Sequence, residues 1–160
     1  SRKYGIHVAG GAFNLIEKNT VSDHQFHAIG LVSGATGATV QDNECFRNAD
    51  PAVRVANGIY VNAATGSLLR RNRCHDDQDS GVNLGSASDN TLEIENVSWN
   101  NGDRGFDHLD SKGAVMVGCV AYGNTNDGFS FDGASTSGQL YDCIGASNGL
   151  ATGRYDLWVS

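Results

Sequence analysis

Apolar and polar residues alternate in this chain over short stretches that break off repeatedly at glycine or asparagine. Three stretches show it best: Ser80-Gly81-Val82-Asn83-Leu84, Arg104-Gly105-Phe106-Asp107-His108 and Asp127-Gly128-Phe129-Ser130-Phe131, with glycines 24 and 23 residues apart. A period of two marks strands, and helices are not called for anywhere. The register extends to Gly5-Ile6-His7-Val8, Gly30-Leu31-Val32, Gly58-Ile59-Tyr60-Val61 and, downstream, Arg154-Tyr155-Asp156-Leu157. A fixed period of this size signals an array; propeller blades of about 40–45 residues and helical solenoids of about 33–47 are too long for it. Leucine-rich repeats need several leucines per unit, whereas the inward candidates here are mixed Ile, Val, Phe and Cys. The pattern predicts an all-β fold: a single-stranded, right-handed parallel β-helix of about six to seven coils, with residues 1–160 as one domain.

Two further columns follow from the period. Asn19, Asn43, Asn72 and Asn96 recur in phase, with Gly118 and Asp142 in the later coils, and are expected to stack as an amide ladder. Cys45, Cys74, Cys119 and Cys143 are expected to share one column with Val21 and Val97 as buried, reduced thiols, because in-register side chains fit disulfide torsions poorly. The spacings contain no CxxC zinc signal.

Composition narrows the setting. The 21 glycines sit mostly at phased turns, and the single proline, Pro51, falls in an insertion. A net charge of −7 argues against a nucleic-acid partner, leaving Arg70, Arg71 and Arg73 as a solvated edge. No apolar run reaches the ~18 residues of a membrane span. A coil begins almost at once at Tyr4 and another stops in mid-strand near Trp158. The expectation is a fragment of a longer secreted or cell-surface β-helix, monomeric apart from open ends.

Alternation places the chemistry. Asp107 and Asp132 are expected to project outward from adjacent coils, with stems roughly 8 Å apart at the usual strand spacings, a separation suited to carboxylates flanking one sugar ring; a solvated acidic face is the other reading. Strict alternation sends His108 inward. Either it is buried with a partner, or a β-bulge at Asp107-His108 turns it outward and returns Leu109 to the core; the bulge is slightly favoured, since bulges cluster beside active sites. Asp76, Asp77, Asp79 and Asp103 could furnish oxygen ligands for calcium, or serve only to cap turns.

Asn96-Val97-Ser98-Trp99-Asn100-Asn101-Gly102 and Gly105-Phe106-Asp107 resemble the coils of right-handed β-helix polysaccharide lyases, especially family 9 pectate lyases. In that family a G-F-K-L-G-G strand carries a lysine base and aspartates bind calcium; here Gly81-Val82-Asn83-Leu84-Gly85 places Asn83 at the lysine position. Arg104-Gly105-Phe106-Asp107-His108-Leu109-Asp110 and Asp127-Gly128-Phe129-Ser130-Phe131-Asp132 are also similar to the Y-G-F-D-P-H-E and D-G-F-V-A-D phrases of mannuronan C5-epimerases. Asp107 and Asp132 match in position, Arg104 replaces the tyrosine, and His108 comes one place early. These resemblances imply an enzyme acting on an acidic polysaccharide, with Arg104 neutralising a uronate carboxylate, His108 as acid or base, and Asp107 and Asp132 orienting substrate, tuning His108 or holding calcium. The alternative is a non-catalytic module that binds glycan or acts as a spacer.

Overall fold

The computed structural model describes residues 4–150 and 153–160. Among them there are 19 strands and no helix. All pairing is parallel, in three sheets. Sheet 1 runs through Ile6–Ala9, Ile29–Val32, Ile59–Asn62, Val82–Leu84, Phe106–Leu109, Phe129–Asp132 and Leu157–Val159. Sheet 2 comprises Leu15–Glu17, Thr39–Gln41, Leu68–Arg70, Leu92–Ile94, Val115–Val117 and Gln139–Tyr141; sheet 3 comprises Thr20–Ser22, Glu44–Phe46, Arg73–His75, Val97–Trp99, Val120–Tyr122 and Ile144–Ala146. The chain visits the sheets in turn, making a right-handed solenoid of about six turns.

Strand length explains the core. The strands of sheets 2 and 3 have three residues, so each offers one inward side chain: Ile16, Val40, Leu69, Glu93 and Met116 from sheet 2, and Val21, Cys45, Cys74, Ser98 and Ala121 from sheet 3. Sheet 1 adds Ile29, Leu31, Ile59, Val61, Val82, Leu84, Phe106, His108, Phe129 and Phe131. The corner between sheets 2 and 3 is a two-residue turn whose first member, Lys18, Asp42, Arg71, Glu95, Gly118 or Asp142, has positive φ. The phrase glycines serve close packing instead: a Cβ on Gly105 would lie 2.6 Å from the carbonyl oxygen of Gly128 in the next coil.

The second corner residue forms the ladder expected of Asn19, Asn43, Asn72 and Asn96, but Gly118 and Asp142, expected to continue it, sit in the first corner position, and Cys119 and Cys143 take the ladder column. Asn19, Asn43 and Asn72 each donate from Nδ2 to Oδ1 of the next asparagine at 2.9, 3.0 and 3.0 Å, ending at Asn96. Each of these three also donates its backbone N–H to the same oxygen. An unanticipated second ladder links Asn48 to Asp77 at 2.7 Å, Asn101 to Asn124 at 2.9 Å and Asn124 to Asn148 at 2.8 Å.

Two features of the register differ from expectation. Cys45 and Cys74 face each other across adjacent coils in the inward column of sheet 3, but Val97 pairs with Val120, which puts Cys119 one residue earlier, in the column of Asn96. The four cysteines therefore occupy two columns; all are free thiols, three buried and Cys143 half-buried. Gly30 is the second error. It pairs with His7 and Tyr60 inside its strand, so Ala28 holds the place of the phrase glycine and Val32 aligns with Ala9 and Asn62.

Candidate functional site on the outward face of sheet 1

Successive coils present Tyr60, Asn83, Asp107 and Ser130 side by side on the outside of sheet 1. Asp107 is the hub. Its Oδ2 accepts from Asn83 Nδ2 at 2.7 Å, and its Oδ1 accepts from Ser130 Oγ and Arg104 Nη1, both at 3.2 Å. Arg104, whose side chain is 18% exposed, also reaches Asp132 Oδ2 at 2.7 Å through Nη2, Asp127 Oδ2 at 3.4 Å through Nε and Asp103 Oδ2 at 4.0 Å through Nη1. One guanidinium thus holds four carboxylates. Five fixed donors suit it to such a fork, which a lysine could not span.

Burial has a titration consequence. Desolvation pushes the Asp107 carboxyl up, opposed by Arg104 and reinforced by Asp103, so it takes a proton more readily than an ordinary aspartate. Asp79 is raised to about 6, first by burial and then by Asp103, with Arg54 pulling the other way. The carboxylates outweigh desolvation at Arg104 and raise its pKa, so its charge is secure. Asp132 Oδ1 is buried and has no hydrogen-bond partner among the described residues.

Beside this cluster opens a cleft of about 350 Å³, floored by Tyr60, Asn62, Asn83 and Leu109 and walled by Phe26, Val55 and Asp79. The Tyr60 ring stacks on His27 with centroids 4.2 Å apart. Asn83 belongs to both the cleft and the Asp107 network, which makes the two one continuous surface.

Arg104, Asp107 and Asp132 are thus brought together as their positions suggested. His108 is not among them. No bulge occurs: Phe106–Leu109 pairs in straight register with Phe129–Asp132, His108 is fully buried, and Leu109 is 42% exposed. The reason is an inward partner. Glu93, likewise fully buried, contacts His108 Nε2 through Oε1 at 2.6 Å, which gives the inward imidazole a partner, while its Nδ1 and Glu93 Oε2 have none among the described residues.

The four aspartates proposed for calcium also separate. Asp77 points inward to Asn48, and Asp76 turns outward to His75 Nδ1 at 2.7 Å. Asp79 and Asp103 both face Arg54, at 3.5 and 3.3 Å. They do not make a cation cage, and no group of three or more His, Cys, Asp or Glu side chains among the described residues is gathered for one. Asp127 escaped the reading although it lies one coil from Arg104 in the same column, an opposite-charge pair visible from the period. Arg54 had no such signal, because it lies in the insertion.

The family describing the right-handed β-helix region matches residues 1–144. The chain belongs to the right-handed β-helix family. No curated protein sequence matches this β-helix. Among solved structures it is similar to the periplasmic alginate epimerase AlgG, with a TM-score of 0.79, 22% identity, and coverage of 91% of this chain and 36% of that one. It is also similar to the pectate lyase Pel9A, with a TM-score of 0.71, 16% identity, and coverage of 96% and 49%. At these identities the likeness is one of fold, and this β-helix spans less than half the length of either neighbour.

Proposed function

We propose that the outward face of sheet 1 binds an acidic, uronate-containing polysaccharide and that Asp107 moves a proton at C5 of the bound sugar. The observation that carries this reading is the Arg104 hub: a secure, half-buried cation beside a carboxyl whose proton affinity is raised, on the open face of the fold. Removing the C5 proton places charge on the substrate carboxylate, and Arg104 is positioned to neutralise it. A carboxyl group raised toward neutrality is a better-matched acid or base than one near 4. The cleft at Tyr60 would hold the neighbouring ring. The two structural neighbours are named for acting on alginate and pectate, which supports the substrate class; AlgG is named as periplasmic, in keeping with a location outside the cytoplasm.

A second reading, glycan capture without turnover, has its own support. None of the outward residues on the sheet 1 strands from Tyr60 to Asp132 is a histidine or a lysine, since His108 is turned inward and Asn83 is an amide. Incubating the protein with pectate and with alginate, with and without calcium, separates the two. Absorbance of unsaturated uronates reports elimination, proton NMR reports inverted C5 centres, and a pull-down on the same polymers reports binding. Product that disappears in Asp107→Asn supports chemistry, binding alone supports capture, and neither binding nor product sinks both.

A further inference from the structure

The insertion in the second coil, residues 47–58, does the work that turns 76–81 and 100–105 do elsewhere, but with extra residues that include Pro51 and Arg54. Asp50 starts the excursion by accepting the backbone N–H of Ala52 at 2.8 Å. Arg54 then reaches two coils along the solenoid. Its Nη1 donates to the carbonyl of Gly102 at 3.2 Å, its Nη2 meets Asp103 at 3.3 Å, and its Nε lies 3.5 Å from Asp79.

Asp103 is therefore shared, with Arg54 on one side and Arg104 on the other at 4.0 Å. Two guanidinium groups thus stand next to each other along the edge of sheet 1. They differ in setting, since Arg104 is mostly covered whereas the Arg54 side chain is 52% exposed, beside the cleft wall formed by Val55 and Asp79. An isolated uronate needs one cation. Two neighbouring cations on one edge fit carboxylates carried on neighbouring sugar rings, and a planar fork suits each of them.

Resting on the reading of this face as a polyuronate site, we propose that Arg54 is a second carboxylate-binding residue, supplied by the insertion, which makes the site select contiguous uronate blocks over chains whose uronates are isolated by neutral or esterified units. Asp79 adds a pH sense to the selection: as it takes its proton near pH 6, Arg54 loses a competing anion and is freer to meet the polymer.

The test compares binding of a contiguous uronate oligomer with that of its partly methyl-esterified counterpart, by calorimetry at pH 6, for the native protein, Arg54→Gln and Arg104→Gln. Arg54→Gln is expected to weaken the contiguous oligomer by about tenfold, the loss of one charge-assisted contact, while leaving the esterified oligomer within about twofold; Arg104→Gln should weaken both. Thermal unfolding of Arg54→Gln near that of the native protein keeps the comparison valid, and Arg54→Lys, which retains charge without the fork, should restore part of the loss. If Arg104→Gln weakens binding and Arg54→Gln does not, or if Arg54→Gln weakens both oligomers equally, the selection role is wrong while the polyuronate reading stands. If the native protein binds neither oligomer, the reading of the face itself fails and this proposal with it.

Discussion

The outward faces of sheets 1 and 3 are built on the same solenoid and use it in opposite ways. Sheet 3 repeats itself. Phe46, His75, Trp99 and Tyr122 occupy one outward column with ring centroids 5.1, 4.1 and 5.7 Å apart and planes within 11° of parallel. Arg47 and Arg73 lie over the Phe46 and Trp99 rings. Sheet 1 changes its chemistry at every coil, passing from Tyr60 through Asn83, Asp107 and Ser130 to Trp158. A column of like residues is satisfied by its own neighbours. A column of unlike residues needs help from the turns, here Arg104, Asp127 and Asp103, and leaves Asp132 Oδ1 without a hydrogen-bond partner among the described residues. Departure from the repeat, rather than burial or charge alone, marks the candidate site.

The comparison breaks first in the interior. His108→Ala leaves Glu93 buried without its partner, and a loss of about 3–5 kcal/mol in denaturant unfolding is expected; Asp107→Asn, one residue away but outward, should cost under about 1 kcal/mol while removing any turnover of uronate polymers. Equal stability losses for the two would erase the distinction between the inward pair and the outward site. Next comes the amide ladder. Asn72→Ala removes the acceptor of two Asn43 donors and the donor to the carbonyl of Val40, and should cost about 2–4 kcal/mol, because buried groups are left unpaired.

A smaller effect is expected with pH. Asp77 stands in the second ladder where other coils have asparagine; burial raises it to about 7, and its Oδ2 has no partner. Its folded pKa lies above its unfolded value, so the native state holds the proton more tightly and the associated stability is full below about pH 4 and lost as pH rises toward 7. Asp79 acts in the same direction up to about 6. The melting temperature should therefore fall by several degrees between pH 4 and pH 7, and Asp77→Asn should flatten that slope. A profile that rises over this range in both proteins contradicts the assignment. Asp23, lowered to about 2 by Arg47, affects only pH values below the window. The smallest change belongs to the repeated face: Trp99→Leu interrupts the ring stack at its middle and should cost about 0.5–1.5 kcal/mol, with binding of acidic polysaccharide unchanged.

What was legible in the chain follows the same division. The period, the three central strands of sheet 1 and the Asn19-to-Asn96 ladder could all be read, because each is repeated and each repeat checks the others. Misreadings came where one residue type fits two positions. Cysteine is small and apolar enough for the inward column of sheet 3 and for the adjacent ladder column, so the four thiols looked like one set. Gly30 mimics a phrase glycine because Ala28 fills that place. At His108 the tendency of bulges to sit beside active sites points to an outward imidazole, and only Glu93, brought opposite from sheet 2, reverses it. Arg54 could not be located at all, since an insertion has no neighbour in register to locate it.

The one-way amide ladder has a mechanical consequence. Each Asn19-to-Asn96 rung gives its donors to the next coil and accepts donors from the one before, so pulling the two ends of the solenoid apart loads the rungs in series, one coil boundary at a time. Under tension the chain should yield in steps of one coil, and at the boundary next to Cys119, where the amide rung gives way to a contact with sulfur at 4.0 Å, the load falls on the paired strands and on the second ladder's Asn101-to-Asn124 bond.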